Sequence, residues 1–136
     1  MPFSILVIDD DEDDRLMINE AFLEIGFGNE VKKFIDGNML LHYLESIDPS
    51  LYPSLIVLDN TLPQLDAIDI LRIIKSNTQY SNIPVVVYTT LLTPNKKEQL
   101  EAAGAYACME KGSTMEELIA VAKELRRLAE KGPEGV

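Results

Sequence analysis

Five short apolar runs alternate with stretches of helical periodicity, and this alternation constrains the fold more than any other feature of the chain. The runs are Phe3–Ile8, Val31–Ile35, Leu55–Leu58, Val85–Tyr88 and Tyr106–Met109. Most are continuously apolar rather than alternating, as expected of strands buried on both faces. After the first run, Leu16, Ala21, Phe22 and Ile25 fall at helical spacing and the pattern stops at Gly26. Asp36-Gly37 leads into a second helix over Met39–Ile47, and Asp66 is a fitting N-cap for a third around Ile68–Ile74. Thr93-Pro94 opens a short charged helix to about Ala103, closed by Gly104. Ser113-Thr114-Met115-Glu116 reads as a capping box for the last helix, which reaches about Glu130. Strict β-α alternation implies an α/β fold, a doubly wound five-stranded parallel sheet with five helices covering both faces. Periodicity alone does not fix the strand order.

The expected organisation is one domain over residues 1–136, with a core of about 4–129 and 131–136 as a frayed tail. No repeat, low-complexity segment or interdomain linker interrupts it. No apolar run approaches the roughly 20 residues needed to cross a bilayer. The first residues carry no basic segment ahead of their apolar run, which argues against a signal peptide. The single cysteine, Cys108, excludes an internal disulfide and fits a reducing cytoplasm. The formal charge of −11 argues against direct binding to nucleic acid or anionic lipid.

The chemistry collects where strands end. Asp9-Asp10 follow the first run, Asp59 the third, Thr89-Thr90 the fourth and Lys111 the fifth. In a parallel sheet the carboxyl ends of all strands share one edge, where ligands bind at the topological switch point. Three carboxylates, a hydroxyl and an ammonium would meet there. Crowded carboxylates repel, so they raise a pKa or call for a cation. Mg2+ suits such a site, since it takes carboxylate oxygens and keeps waters that a phosphate can displace. A carboxylate nucleophile can form an acyl phosphate while the metal, Lys111 and a threonine hydroxyl stabilise the transferred oxygens. Taken singly, the acids are as well explained by a helix N-terminus or a turn, and Thr89 and Lys111 by ordinary surface positions. Their joint placement at four strand ends reverses that balance.

Asp9-Asp10, Leu58-Asp59-Asn60-Thr61-Leu62-Pro63, Pro84–Thr89 and Met109-Glu110-Lys111 resemble, in order and spacing, the four signatures of response-regulator receiver domains. The resemblance covers Ser4 to about Ala129 and implies a flavodoxin-like strand order, 2-1-3-4-5. It implies a stand-alone two-component phosphorelay receiver, not a turnover enzyme, that shows only self-phosphorylation from a phosphodonor and autodephosphorylation. Carried over by position, Asp59 is the phosphoacceptor, Thr89 the switch hydroxyl and Lys111 the phosphate-contacting lysine. Asp9, Asp10, Asp59 and the Thr61 backbone carbonyl would bind Mg2+ or Mn2+. The implied partners are a histidine kinase or phosphotransfer protein as donor, which small acyl phosphates can replace, and an unidentified downstream protein. That protein would read the face of the fourth helix, fifth strand and fifth helix. Monomer and weak homodimer are both compatible with the sequence.

The chain departs from the family pattern at several places. Gly112 replaces the proline that usually follows the lysine, so the associated cis peptide is not expected. Cys108 stands where many members carry an aromatic switch residue, and Tyr106 lies two residues earlier on the same side of the strand. Ala67 replaces a common glycine, and Thr90 a smaller residue. These departures motivate the alternative reading, a constitutive interaction module that keeps the fold without phosphate control. A small phosphotransferase or phosphatase is the third reading, but the sequence shows no cap insertion for a separate substrate pocket. Cys108 reads as a small core residue and His42 as structural or solvated; a lone histidine supports neither a zinc site nor a Ser-His-Asp triad.

Overall fold

In the computed structural model, which describes residues 4–27, 31–62 and 64–131, strands and helices alternate throughout. β1 (Ile5–Ile8), α1 (Glu12–Glu24), β2 (Val31–Phe34) and α2 (Gly37–Ser46) come first. After a 3-10 turn at Pro49–Leu51 follow β3 (Leu55–Asp59), α3 (Ala67–Ser76), β4 (Val85–Thr89), α4 (Pro94–Ala102), β5 (Ala107–Glu110) and α5 (Met115–Lys131). The five strands are parallel in the order β2-β1-β3-β4-β5, as the resemblance implied.

Strands β1, β3 and β4 are buried at every position, which is why their sequences do not alternate. Their side chains feed two separate cores. Leu6, Ile8, Ile56, Leu58, Val85 and Val87 pack against α2, α3 and Leu100 of α4. Ile5, Val7, Leu55, Val57, Val86 and Tyr88 pack against Ile18, Ala21 and Phe22 of α1 and the apolar stripe of α5. Edge strand β2 buries Val31 but exposes Lys32 and Lys33, a charge placement that discourages further strand pairing.

Helix ends follow the local chemistry. Asp36, Asp66 and Thr93 each accept a backbone N–H at an N-terminus, and Asp66 and Asp69 form a reciprocal capping box. Gly26 and Gly104 adopt positive φ after α1 and α4, where a side chain would be strained.

Several expectations need correction. Leu16 is 59% exposed, and the buried stripe of α1 runs instead through Ile18, Ala21 and Phe22. β5 begins at Ala107, leaving Tyr106 exposed, and Ile35 lies beyond β2. The capping box of α5 is one residue later than read. Thr114 Oγ1 accepts the Glu117 N–H at 3.1 Å, while Glu117 Oε1 accepts the Thr114 N–H at 3.2 Å. Phe3 and the tail over 132–136 lie outside the described residues, whereas Lys131 belongs to α5.

The α5 capping turn presses on the loop that carries Lys111. A Cβ at Gly112 would stand 2.8 Å from both Glu117 Cβ and the Leu118 nitrogen, a contact that backbone cannot yield cheaply. Among the described residues no peptide bond is cis. Gly112→Ala is expected to lower stability by about 1–3 kcal/mol. Urea unfolding should show a lower midpoint at unchanged slope; an unchanged midpoint would mean that the loop has room to spare.

Candidate functional site

Strand register assembles the site. Ile8 pairs with Leu58, and Asp59 with Tyr88, so the residues after β1 and at the end of β3 reach the sheet edge together. The Asp9 N–H donates to Phe34 O at 3.0 Å, and the Lys111 N–H to Thr89 O at 2.8 Å, so both segments are held by the sheet's own hydrogen bonding. Asp59 and Thr89 each proved to be the last residue of its strand, one beyond the run read from sequence. Strand alternation separates them. Asp59 continues the row of Leu55 and Val57 on the α1/α5 side, whereas Thr89 continues Val85 and Val87 on the α2/α3/α4 side.

Asp9 is fully buried, and both its carboxylate oxygens are hydrogen-bonded. Its Oδ1 accepts the Asp11 N–H at 3.0 Å, while Oδ2 accepts both the Tyr88 hydroxyl at 2.7 Å and Lys111 Nζ at 2.9 Å. Its backbone carbonyl accepts from the Arg15 guanidinium at 2.6 Å. Lys111 is the hub: Nζ also lies 2.8 Å from Asp14 Oδ2, 3.4 Å from Asp59 Oδ1 and 4.8 Å from the centre of the Tyr88 ring. Burial disfavours its charge, but hydrogen bonds to Asp14 and Asp9 and attraction to Asp59 outweigh that and raise its pKa. Burial likewise pushes the Tyr88 hydroxyl up, and the Asp9 carboxylate adds to the shift, so the phenol stays protonated and can only donate to Asp9.

Asp59 is only 7% exposed. Burial pushes its carboxyl up to about 6; attraction to Lys111 opposes this, repulsion from Asp9 adds to it, and the Thr61 N–H at 3.4 Å pulls it down. Lys111 and Thr61 both approach Oδ1, and among the described residues no hydrogen bond falls on Oδ2. An oxygen left free on a desolvated carboxylate is a nucleophile with room to act.

Asp9, Asp10 and Asp59 each offer an oxygen, and the three lie within 4.8 Å of one another. Asp10 is exposed while the other two are buried, so the group opens outward. Oxygen-only donors and an excess of negative charge over the single ammonium fit a hard divalent cation. The surrounding cleft, of about 480 Å³, is lined by Asp10, Asp14, Asp59, Thr61, Thr89, Thr90 and Lys111 among others. It thus collects the side chains singled out from sequence except Asp9, which sits behind it. The Thr89 hydroxyl makes only a long contact, 3.5 Å, to Leu91 O. Pro63 of the Asp59 segment lies outside the described residues.

Two site residues were not assigned from sequence. Asp14 was one acid in a run of them, yet the buried stripe Ile18, Ala21, Phe22 extended back one turn lands on it. Tyr88 was left open between sitting beside the site and packing on a helix, and it does both. Cys108 is half-buried against the first core, and burial with Glu101 nearby raises its thiol pKa, which leaves it a packing residue. His42 is exposed on α2.

Among the described residues no helix is long and apolar enough to cross a membrane. The model of the response regulator receiver domain matches residues 5–123. A probable methanogenesis regulatory protein, FilR2 of Methanothrix harundinacea, is 37% identical over 92 residues, 65% of this chain and 59% of that protein. The crystal structure of the Mn2+-bound response regulator Rcp1 superposes with a TM-score of 0.78 at 25% identity, covering 92% of each chain. That of the phosphorylated cyanobacterial phytochrome response regulator RcpA gives 0.82 at 25% identity, covering 93% of each. The chain spans 52–63% of the length of four curated relatives that it matches.

Proposed function

Since the chain belongs to the response regulator receiver domain family of two-component signalling, we propose that it accepts a phosphoryl group on Asp59 in a metal-dependent reaction and thereby switches a protein-binding surface. The observation that carries this is the buried Asp59 carboxylate, with Lys111 on one oxygen and, among the described residues, no donor on the other, facing an open acidic cleft. Asp9, Asp10 and Asp59, with the Thr61 carbonyl, would hold Mg2+ or Mn2+; a metal-bound relative and a phosphorylated one support both halves of the reading. When bound, the cation supplies charge neutralisation for the transferred oxygens.

The residues themselves supply the rest. An Asp59 oxygen attacks phosphorus, and the bond from phosphorus to the donor breaks with its electron pair leaving on the donor. That donor is a histidine kinase or phosphotransfer protein, or a small acyl phosphate whose carboxylate departs. Lys111, already 3.4 Å from Asp59, neutralises the incoming oxygens, and the Thr89 hydroxyl has no strong bond to give up before donating to one of them. The acceptor is the protein itself, one acyl phosphate per chain, and hydrolysis releases phosphate and restores the free Asp59 carboxylate, which resets the switch. The signal passes to a protein that reads the face of α4, β5 and α5 by a shift between two conformations.

Cys108, in place of an aromatic on β5, favours the second reading, a constitutive interaction module of the same fold. One experiment separates the two. Intact mass after incubation with acetyl phosphate and Mg2+ should show one phosphoryl adduct that disappears when the metal is chelated. No adduct under either condition would overturn the switch and leave the constitutive module.

A further inference from the structure

Tyr88 lies within the Pro84–Thr89 segment, yet none of the roles carried over from the resemblance falls on it. It is 2% exposed, its ring packs in the α1/α5 core, and its hydroxyl donates to Asp9 Oδ2 at 2.7 Å. The same oxygen accepts from Lys111 at 2.9 Å, and the ammonium also rests over the Tyr88 ring. Asp9 therefore has two donors on one oxygen, one charged and one neutral. They respond differently to a cation. A divalent ion arriving among Asp9, Asp10 and Asp59 repels the Lys111 ammonium, which has Asp14 as another partner 2.8 Å away. The phenol carries no charge and is locked by its packing, so it keeps its bond. Without it, a buried carboxylate oxygen would lose its fixed donor when the lysine turns away, at the cost of leaving a buried acceptor unsatisfied.

We propose that Tyr88 is a positioning residue of the metal site, whose hydroxyl holds the Asp9 carboxylate in place while Lys111 is released toward the phosphoryl group. The inference rests on the metal-dependent reading above and adds to it a residue outside the acid cluster. Partners that orient ligating groups typically set metal affinity by tenfold or more.

Tyr88→Phe isolates the hydroxyl, since it keeps the ring, its packing and its contact with the ammonium. Mn2+ alone, titrated against the full chain and followed by the electron paramagnetic resonance of the free ion, should bind Tyr88→Phe about tenfold more weakly than wild type. Equal affinity, or tighter binding by the variant, overturns the inference while leaving the proposed function intact. Failure of the wild type to bind Mn2+ overturns the proposed function and this inference with it. A second readout is optical. Mn2+ should perturb the near-ultraviolet absorption of the wild type through the hydrogen-bonded phenol, and the perturbation should be absent from Tyr88→Phe. A wild-type spectrum indifferent to bound Mn2+, or a perturbation that survives in Tyr88→Phe, again overturns the inference, because a purely structural tyrosine would not register the ion.

Discussion

Asp59→Asn is expected to eliminate the phosphoryl adduct and, in the absence of metal, to make the protein more stable at neutral pH. The first effect follows from removing the carboxylate proposed as the nucleophile, since an amide cannot take its place. The second follows from what burial does to that carboxyl. Its pKa stands at about 6 in the folded protein against 3.8 ordinarily. The folded state therefore holds the proton more tightly than the unfolded chain does. Its contribution is favourable below about 4, declines as pH rises through about 6, and above that leaves an ionised group that costs about 3 kcal/mol. Asparagine removes that cost. Urea midpoints of the two proteins should coincide near pH 4 and separate by pH 7.5, with the variant higher. Mg2+ should narrow the gap by stabilising the wild type selectively. A gap that is the same at both pH values would show that ionisation of Asp59 is not its cause.

Lys111→Met is expected to do the opposite. Lys111 sits among the carboxylates of Asp9, Asp14 and Asp59, at 2.9, 2.8 and 3.4 Å. Methionine preserves most of the stem but leaves Asp9, which has no exposed surface, and Asp59 as near neighbours of like charge. Removing one partner of a buried ion pair typically destabilises by about 3–5 kcal/mol, and the partial exposure of Asp14 places this case near the lower end. Mg2+ should restore more stability to Lys111→Met than it adds to wild type, because the ion supplies the missing charge. Equal stability of the two proteins in metal-free buffer would remove Lys111 from its central place in the site.

The acids and the lysine were legible in sequence for one reason. Strands buried on both faces appear as uninterrupted apolar runs, so the polar residue at each end is conspicuous and the parallel arrangement says where it goes. Asp59 and Thr89 emerge that way, as do Asp9 and Asp10; Lys111 follows the apolar run of β5 after Glu110, although that strand is only partly buried. Strand order is not written in periodicity, and came only from resemblance. Asp14 was hidden because it lies on a helix among other acids, and its inward direction depends on which stripe of α1 is buried. Leu16 pointed to the wrong stripe; Ile18 marks the right one. Tyr88 was ambiguous because an aromatic residue ending an apolar run looks like core. Only the register that pairs it with Asp59 brings its hydroxyl within reach of Asp9. The shift of the α5 capping box from Ser113 to Thr114 has a similar origin. Ser113 and Thr114 are both good caps, and the Glu117 N–H decides the matter by donating to Thr114 Oγ1.

The opposite parity of Asp59 and Thr89 has a mechanical meaning. The sheet acts as a partition: the side chains on its two sides form two compartments. At the cleft, however, a wall stud from each compartment emerges within reach of the same small space. A phosphoryl group anchored on Asp59 and gripped by Thr89 would rivet the two compartments together at that edge. The α1/α5 layer would then be braced against the β4–α4 loop, and a bond made on one side of the partition would be felt as tension on the other.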